Sequence, residues 1–486
     1  MDALVLYALD VAAGRGADYA DVRLVTEESE LINTKNLTVS GLNKSNSRGL
    51  GVRVLKGGGW GFAATQKMTK AAVARAARTA VDLAEASASC MKSPVQLAPE
   101  PAYNAQWISP HLVDPFSVSL EDKLELLFSC AREILAVKGT SLAQGKMHFV
   151  RQVKEFASSE GSRITQTFIR SGCGIEAFAM SETERQRRSY PKHMGQHELA
   201  GYEMVLGWDL PGNARRIAEE AVQLLSAEQC PEMKTDLILG ASQLGLQIHE
   251  SCGHPSELDR ALGHEVNFAG SSFLKPERLQ QLKYGSGIVN LVADATAPGA
   301  LGTFAFDDEG VAAQKVYLVK DGVFSGYLSS RDTAGQIGLD RSGGAMRAAS
   351  WNFAPIIRMT NISLEPGQNY DYGLEDLVSS TENGILMETN KSWSIDQMRY
   401  NFQFSTEIAW EIKDGKRTKL LKNPSYSGIT PEFWNSCDAI GGACEWINWG
   451  EPNCGKGQPM QVMWTGHGAS PARFINVQVG IANQKR

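Results

Sequence analysis

The chain has 486 residues, 43% of them hydrophobic and 21% charged, with eight cysteines and a formal net charge of -6. That length and composition suit a globular protein of two or three domains, and an acidic balance without a long basic run argues against a nucleic-acid-binding surface. No stretch of about 18 apolar residues is present to span a membrane, and irregularly spaced cysteines fit free thiols in a reducing cytoplasm rather than a disulfide framework.

In chain order, "MDALVLYALDVAAGRGADYADVRL" carries Asp2 and Asp10 and no basic n-region. It predicts an amphipathic helix over 2–14 rather than a signal peptide. "YADVRLVTE" and "SELINTKNLTVSGL" read as two strands. In "RGLGVRVLKGGGWGFAAT" the run Gly57 to Gly59 predicts a hairpin turn. Residues 69–88 are alanine-rich, with apolar positions three and four apart, and predict a helix. The proline-rich "SPVQLAPEPAYNAQWISPHLVDP" reads as an extended connection. A helix follows, with Ser119 as N-cap, Asp122 three residues on and Gly139 past its end. Alternating strands then turn at Glu160-Gly161, and a helix runs to about residue 227.

These patterns predict an α+β protein of two domains. Residues 1–230 form an N-terminal α/β domain of antiparallel sheet and amphipathic helices. Residues 231–486 form a β-rich domain, in which a strand "TDLILG" leads into a helix from Ser242. Hairpins are expected at Asp321-Gly322 and Asp414-Gly415. A short helix is expected at "TPEFWNSCDAI", with Thr430 as N-cap and Pro431 in its first position.

The stretch "LGLQIHESCGHPSELDR", residues 244–260, sets His249 beside Glu250 and puts His254 five residues after His249. Two neutral imidazoles can each give a nitrogen to zinc, and the glutamate can take a proton from water. Zinc peptidases usually carry histidines at i and i+4, about 40° apart on a regular helix. At i+5 the rings diverge by about 140°. Gly253 weakens the helix, and Pro255 disfavours the α conformation for His254. The spacing therefore predicts a widened turn of the π type, or a helix end, at Gly253. The competing reading makes His249 a core histidine and Glu250 a solvated charge.

A catalytic zinc takes three protein ligands and keeps one position open. Cys454, in "EPNCGKGQPMQVMWTGHGASP", is the best third candidate. Gly455 and Gly457 let its backbone approach another surface, and Lys456 favours a thiolate. Cys252 is a rival that projects sideways from both histidines. Glu257, Asp259, His264 and His467 remain open as ligands. Glu257, Asp259, Asp307, Asp308 and Glu309 are candidates to orient the imidazoles. Trp434, Trp446, Trp449 and Trp464 either line a peptide groove or pack in the core.

Over nearly its whole length the chain resembles the TldD/PmbA family of zinc metallopeptidases, in its TldD-like, HExxxH-bearing branch. The resemblance rests on "GADYADVRL", "RGLGVRVLKGGGWGFAAT" and "AAVARAARTAVDLAEA" in the first half. In the second half it rests on "HESCGH", "DATAPGALGTFAFDDEG", "GVFSGYLSSRDTA", "PIIRMTNISLEPG" and "CGKGQ". It implies that His249, His254 and Cys454 bind Zn2+ and that Glu250 is the catalytic base acting on a zinc-activated water. It further implies a peptidase of unfolded or modified peptides. The expected assembly is a heterodimer with a PmbA- or TldE-like paralogue lacking the HExxxH motif, or a homodimer. Two other classes compete: a non-catalytic regulatory or binding subunit, and a thiol enzyme using Cys454 or Cys252.

Overall fold

The computed structural model describes residues 1–268 and 270–481; Ala269 and the last five residues of the expected second domain, 482–486, lie outside the description. The molecule has the α+β character that the patterns predict. Its first sheet is ordered Gly59–Thr65, Thr38–Lys56, Tyr19–Lys35, Thr140–Ser158, Arg163–Met180, Asn104–Ile108. The helix Ala3–Gly14 starts at an Asp2 cap, and Lys70–Ala88 at a Thr69 cap. Both cover one part of this sheet, burying Val5, Ala8, Val73 and Ala77 against Val22, Leu24 and Val52. Alanine serves here because the second helix lies almost on the backbone of the strand. A Cβ at Gly59 or Gly61 would stand 2.2 Å from the Ala88 nitrogen or 2.0 Å from the Ala80 oxygen. The helices Leu120–Leu135 and Leu210–Ser226 cover the rest of the sheet.

Several local expectations need correction. There is no break between "YADVRLVTE" and "SELINTKNLTVSGL"; Tyr19–Lys35 is one strand. The chain reverses at Asn36, whose φ of 52° suits asparagine better than most residues. Part of the proline-rich connection, Asn104–Ile108, is a strand paired in parallel with Arg163–Met180. The short helix Thr430–Asn435 has Ile429, not Thr430, at its N-cap position and no side-chain cap. The Thr430 hydroxyl instead donates to the Arg399 carbonyl at 2.9 Å.

The second half is built on a closed ring of strands. Met233–Leu239 pairs with Asn383–Ile395 in parallel and with Ala472–Ile481 antiparallel. Pro424–Ile429 joins Ala472–Ile481 to Asn401–Lys413, which pairs back onto Asn383–Ile395. Closure leaves the strands of the ring without open edges. The hairpin turns at Asp321-Gly322 and Asp414-Gly415 have both residues at positive φ, the conformation that Asp-Gly favours. The helix Ala241–Ile248 follows the first ring strand directly. Its Leu244 and Ile248 share a core with Leu237, Phe404, Tyr426 and Phe474. A helix buried this completely places each polar residue where a partner must exist. Among the described residues, no helix is long and apolar enough to cross a membrane.

Asp308 and Glu309 of the acidic trio join the two halves instead of serving the histidines. Asp308 meets Lys154 at 2.7 Å, and Glu309 meets Arg53 at 3.1 Å. Arg53 also pairs with Asp21 at 2.5 Å. Asp307 accepts backbone N–H groups of Glu309, Val311 and Met346.

Candidate metal centre

The helix does not stay regular through the motif. His249–Gly253 is a π turn, as the five-residue spacing requires. Gly253 is needed there for space, since a Cβ would stand 2.2 Å from the Met359 sulfur. One expectation fails: His254 keeps helical angles, φ -61° and ψ -44°, despite Pro255. The chain tightens into a 3-10 turn, His254–Ser256, so the wide turn is inserted into the helix rather than ending it. The result is two imidazoles with ring centroids 4.8 Å apart.

Cys454 reaches them from the strand Ile447–Lys456. This strand pairs with Gln461–Ala469, and its register slips between Glu451 and Cys454. Such a bulge re-aims the residues that follow it. The Cys454 sulfur lies 3.7 Å from His254 Nε2. One ligand atom each from His249, His254 and Cys454 lies within 4.8 Å of the others. Among the described residues this is the one group of three or more His, Cys, Asp or Glu so arranged. All three residues are buried.

The surroundings assign which ring nitrogens face the group. His467 Nδ1 donates to the Ile362 carbonyl at 3.2 Å, so His467 Nε2 is an acceptor. It lies 2.7 Å from His249 Nδ1, which therefore donates and leaves His249 Nε2 to face the group. Burial, reinforced by the His249 charge, holds His467 well below the usual imidazole range and so neutral. His254 Nδ1 lies 3.1 Å from a Glu257 carboxylate oxygen, which can only accept. His254 Nε2 is thereby left for Cys454 and whatever Cys454 binds. Burial pushes the Cys454 thiol up, but Arg358, His249 and His254 outweigh it and hold the thiol well below its ordinary range. Burial pushes His249 down, but the facing Cys454 charge outweighs that and raises it to about 9.

Two imidazole nitrogens, that of His249 once its proton is displaced, and a thiolate form the donor set of a zinc site. Tetrahedral zinc, with bonds of about 2.0–2.3 Å, keeps its ligand atoms about 3.3–3.8 Å apart. The 3.7 Å between sulfur and His254 Nε2 matches that spacing. The residues present therefore fit the metal.

The other candidates fall elsewhere. Cys252 is fully buried, away from the group, and burial pushes its thiol up to about 12. His264 is exposed. Asp259 binds Lys456 at 2.7 Å, so that lysine is not the cation that favours the thiolate. Arg358 takes that part, and its Nη2 also donates to the Cys454 carbonyl. Glu257 and His467 orient the imidazoles. Of the four tryptophans, Trp434 is core, Trp446 closes over Gly468, Trp449 lines the cleft at the group, and Trp464 lines a neighbouring cavity.

The cleft is about 180 Å³, lined by His249, Glu250, Cys454, Trp449, Trp393 and Lys192 among others. Arg399, like Arg358, is a residue that sequence reasoning missed. It sits in the turn between Asn383–Ile395 and Asn401–Lys413 at φ 64° and forms an ion pair with Glu250. A positive φ is unfavourable for arginine. Asp396 holds the turn by accepting from Tyr400 N and Asn401 N, and Thr430 holds the Arg399 carbonyl. Nothing in "SIDQMRYNF" signals this, because the partner lies 149 residues away.

His467→Ala and Glu257→Gln are each expected to weaken metal binding about 10–100-fold, since such partners fix ring orientation and basicity. Competition against a chromophoric chelator measures this. Unchanged affinity in both would mean that the rings are held by packing alone.

Three segments match known family models: residues 20–84 a model described as PmbA/TldA metallopeptidase domain 1, 113–227 its central domain, and 232–480 its C-terminal domain. All three are domains of a metallopeptidase. A metalloprotease of Methanocaldococcus jannaschii is 29% identical over 430 residues, covering 87% of this chain and 89% of its own. A metalloprotease TldD homolog of Haemophilus influenzae is 26% identical, covering 99% of this chain and 96% of its own. The chain belongs to the PmbA/TldD metallopeptidase family. The crystal structure of TldE from Thermococcus kodakarensis shares the fold, with a TM-score of 0.74 at 16% identity, over 98% of this chain and 100% of that one.

Proposed function

We propose that this chain is a TldD-like zinc peptidase that hydrolyses peptide bonds of unfolded or modified peptides. His249, His254 and Cys454 would hold Zn2+. When bound, zinc supplies a Lewis acid that acidifies water and polarises the scissile carbonyl. Glu250 takes the proton of the attacking water and returns it to the leaving amine. Arg399 holds the Glu250 carboxylate in one orientation, and His467 and Glu257 hold the imidazoles. The observation that carries the reading is the convergence of two oriented imidazoles and a stabilised thiolate, with His249, Cys454 and Glu250 lining one cleft. The same reading divides the chain at 230/231 into a scaffold and a peptidase unit. It also pairs the chain with a paralogue lacking the motif or with a second copy, in the cytoplasm.

Metal removal tests the reading. Dialysis against a strong chelator is expected to abolish cleavage of an unfolded peptide, and one equivalent of Zn2+ to restore it. Cleavage that survives complete metal removal would favour a thiol enzyme.

A further inference from the structure

A second cavity, of about 380 Å³, lies between the first sheet and the second half of the chain. It shares Asn453, the neighbour of Cys454, with the metal cleft. Arg170, on the strand Arg163–Met180, lines it and is only 6% exposed. Its guanidinium lies over Phe168, 4.5 Å from the ring centroid, and 5.7 Å from that of Trp464. Its Nε is buried with no hydrogen-bond partner. Among the described residues, no carboxylate comes within 4.0 Å of it. The buried Arg53 and Arg188, by contrast, each meet carboxylates at 3.2 Å or less.

The carboxylates around the cavity are engaged elsewhere. Glu27 accepts from Gln152 at 2.7 Å, and Asp308 is taken by Lys154 and the Ala348 amide. The oxygens of Asp307 accept backbone amides. Lys146, on the same wall, also forms no ion pair among the described residues. Burial lowers Arg170 to about 10, against the pull of Glu27 and Asp308, so it stays charged at neutral pH. A buried, charged guanidinium without an anion is costly, and a ligand that supplies one removes the cost. Aromatic rings at the guanidinium leave its N–H fork for a planar, two-oxygen partner.

We propose that this cavity is a substrate subsite in which Arg170 binds a carboxylate of the peptide whose backbone lies in the adjoining cleft. The inference rests on the peptidase reading. The carboxylate comes from the peptide's C-terminus or from an Asp or Glu side chain.

Binding to the metal-loaded Glu250→Gln protein separates binding from turnover. Four peptides, with a free or amidated C-terminus and with Glu or Gln near the cleaved bond, are compared by calorimetry. Removing the recognised carboxylate is expected to raise Kd about ten-fold or more, and the peptide pair that shows it identifies the source. Adding Arg170→Gln is expected to erase that difference while the uncharged peptide binds as before, and Arg170→Lys to restore part of it. Equal binding of all four peptides would overturn the subsite, as would a preference that survives Arg170→Gln. Should Arg170→Gln not fold, the four-peptide comparison decides alone. If none of the peptides binds or is cleaved by the wild-type chain, the peptidase reading itself fails, and the subsite with it.

Discussion

Glu250→Gln is expected to lower kcat for peptide cleavage about 100- to 10,000-fold while leaving bound metal near one equivalent. The amide has the shape of the carboxylate and can still accept from Arg399 and sit in the same cleft wall. It cannot take a proton. Glu250 is 5% exposed, so bulk water does not easily substitute for it. The four metal-orienting contacts, from His467, Glu257, Ile362 and Arg358, do not pass through Glu250. Metal analysis beside single-turnover kinetics measures both halves of the expectation. Turnover retained in a metal-loaded variant would remove Glu250 from the reaction.

Cys454→Ser is expected to weaken Zn2+ binding by more than about 100-fold, beyond the loss from an orienting partner. Cleavage should fall in proportion. A serine hydroxyl stays protonated where this thiol does not, so the site loses both its soft donor and its negative charge. The fold should survive. Arg358 grips the Cys454 carbonyl, not its side chain, and bonds the Gln461 carbonyl at 2.9 Å, holding the two strands together. Thermal melting is the check, since a ligand that binds only the native state stabilises it. The variant should melt with and without zinc at the temperature of the metal-free wild type. A variant that keeps its metal and its activity would exclude the sulfur as a ligand.

The two halves of the centre were legible to different degrees. His249 and His254 are five residues apart, and the angular mismatch with a regular helix pointed to a wide turn. Gly253 marked where it would fall, although the Met359 contact, not helix weakness, explains that glycine. Pro255 misled, because its local preference against helix is small beside the burial of the whole segment. Lys456 misled for a related reason. Adjacency in the chain put its charge beside Cys454, but strand geometry turns it to Asp259. Thr430 looked like a cap by residue type, yet a hydroxyl bonds whatever carbonyl tertiary packing brings to it.

What the sequence determined by itself is local and periodic: the amphipathic helices, the Asp-Gly hairpins, the α+β class, and a histidine spacing that only a widened turn can reconcile. Those follow from backbone preference and from which face of an element must be buried. The tertiary structure alone decided the meeting of Cys454 with His254 across 200 residues, the grip of Arg399 on Glu250 across 149, and the unpaired Arg170 beside the cleft. Such contacts depend on how closed strands and packed helices stack in space, and no short-range pattern encodes the distance between residues so far apart.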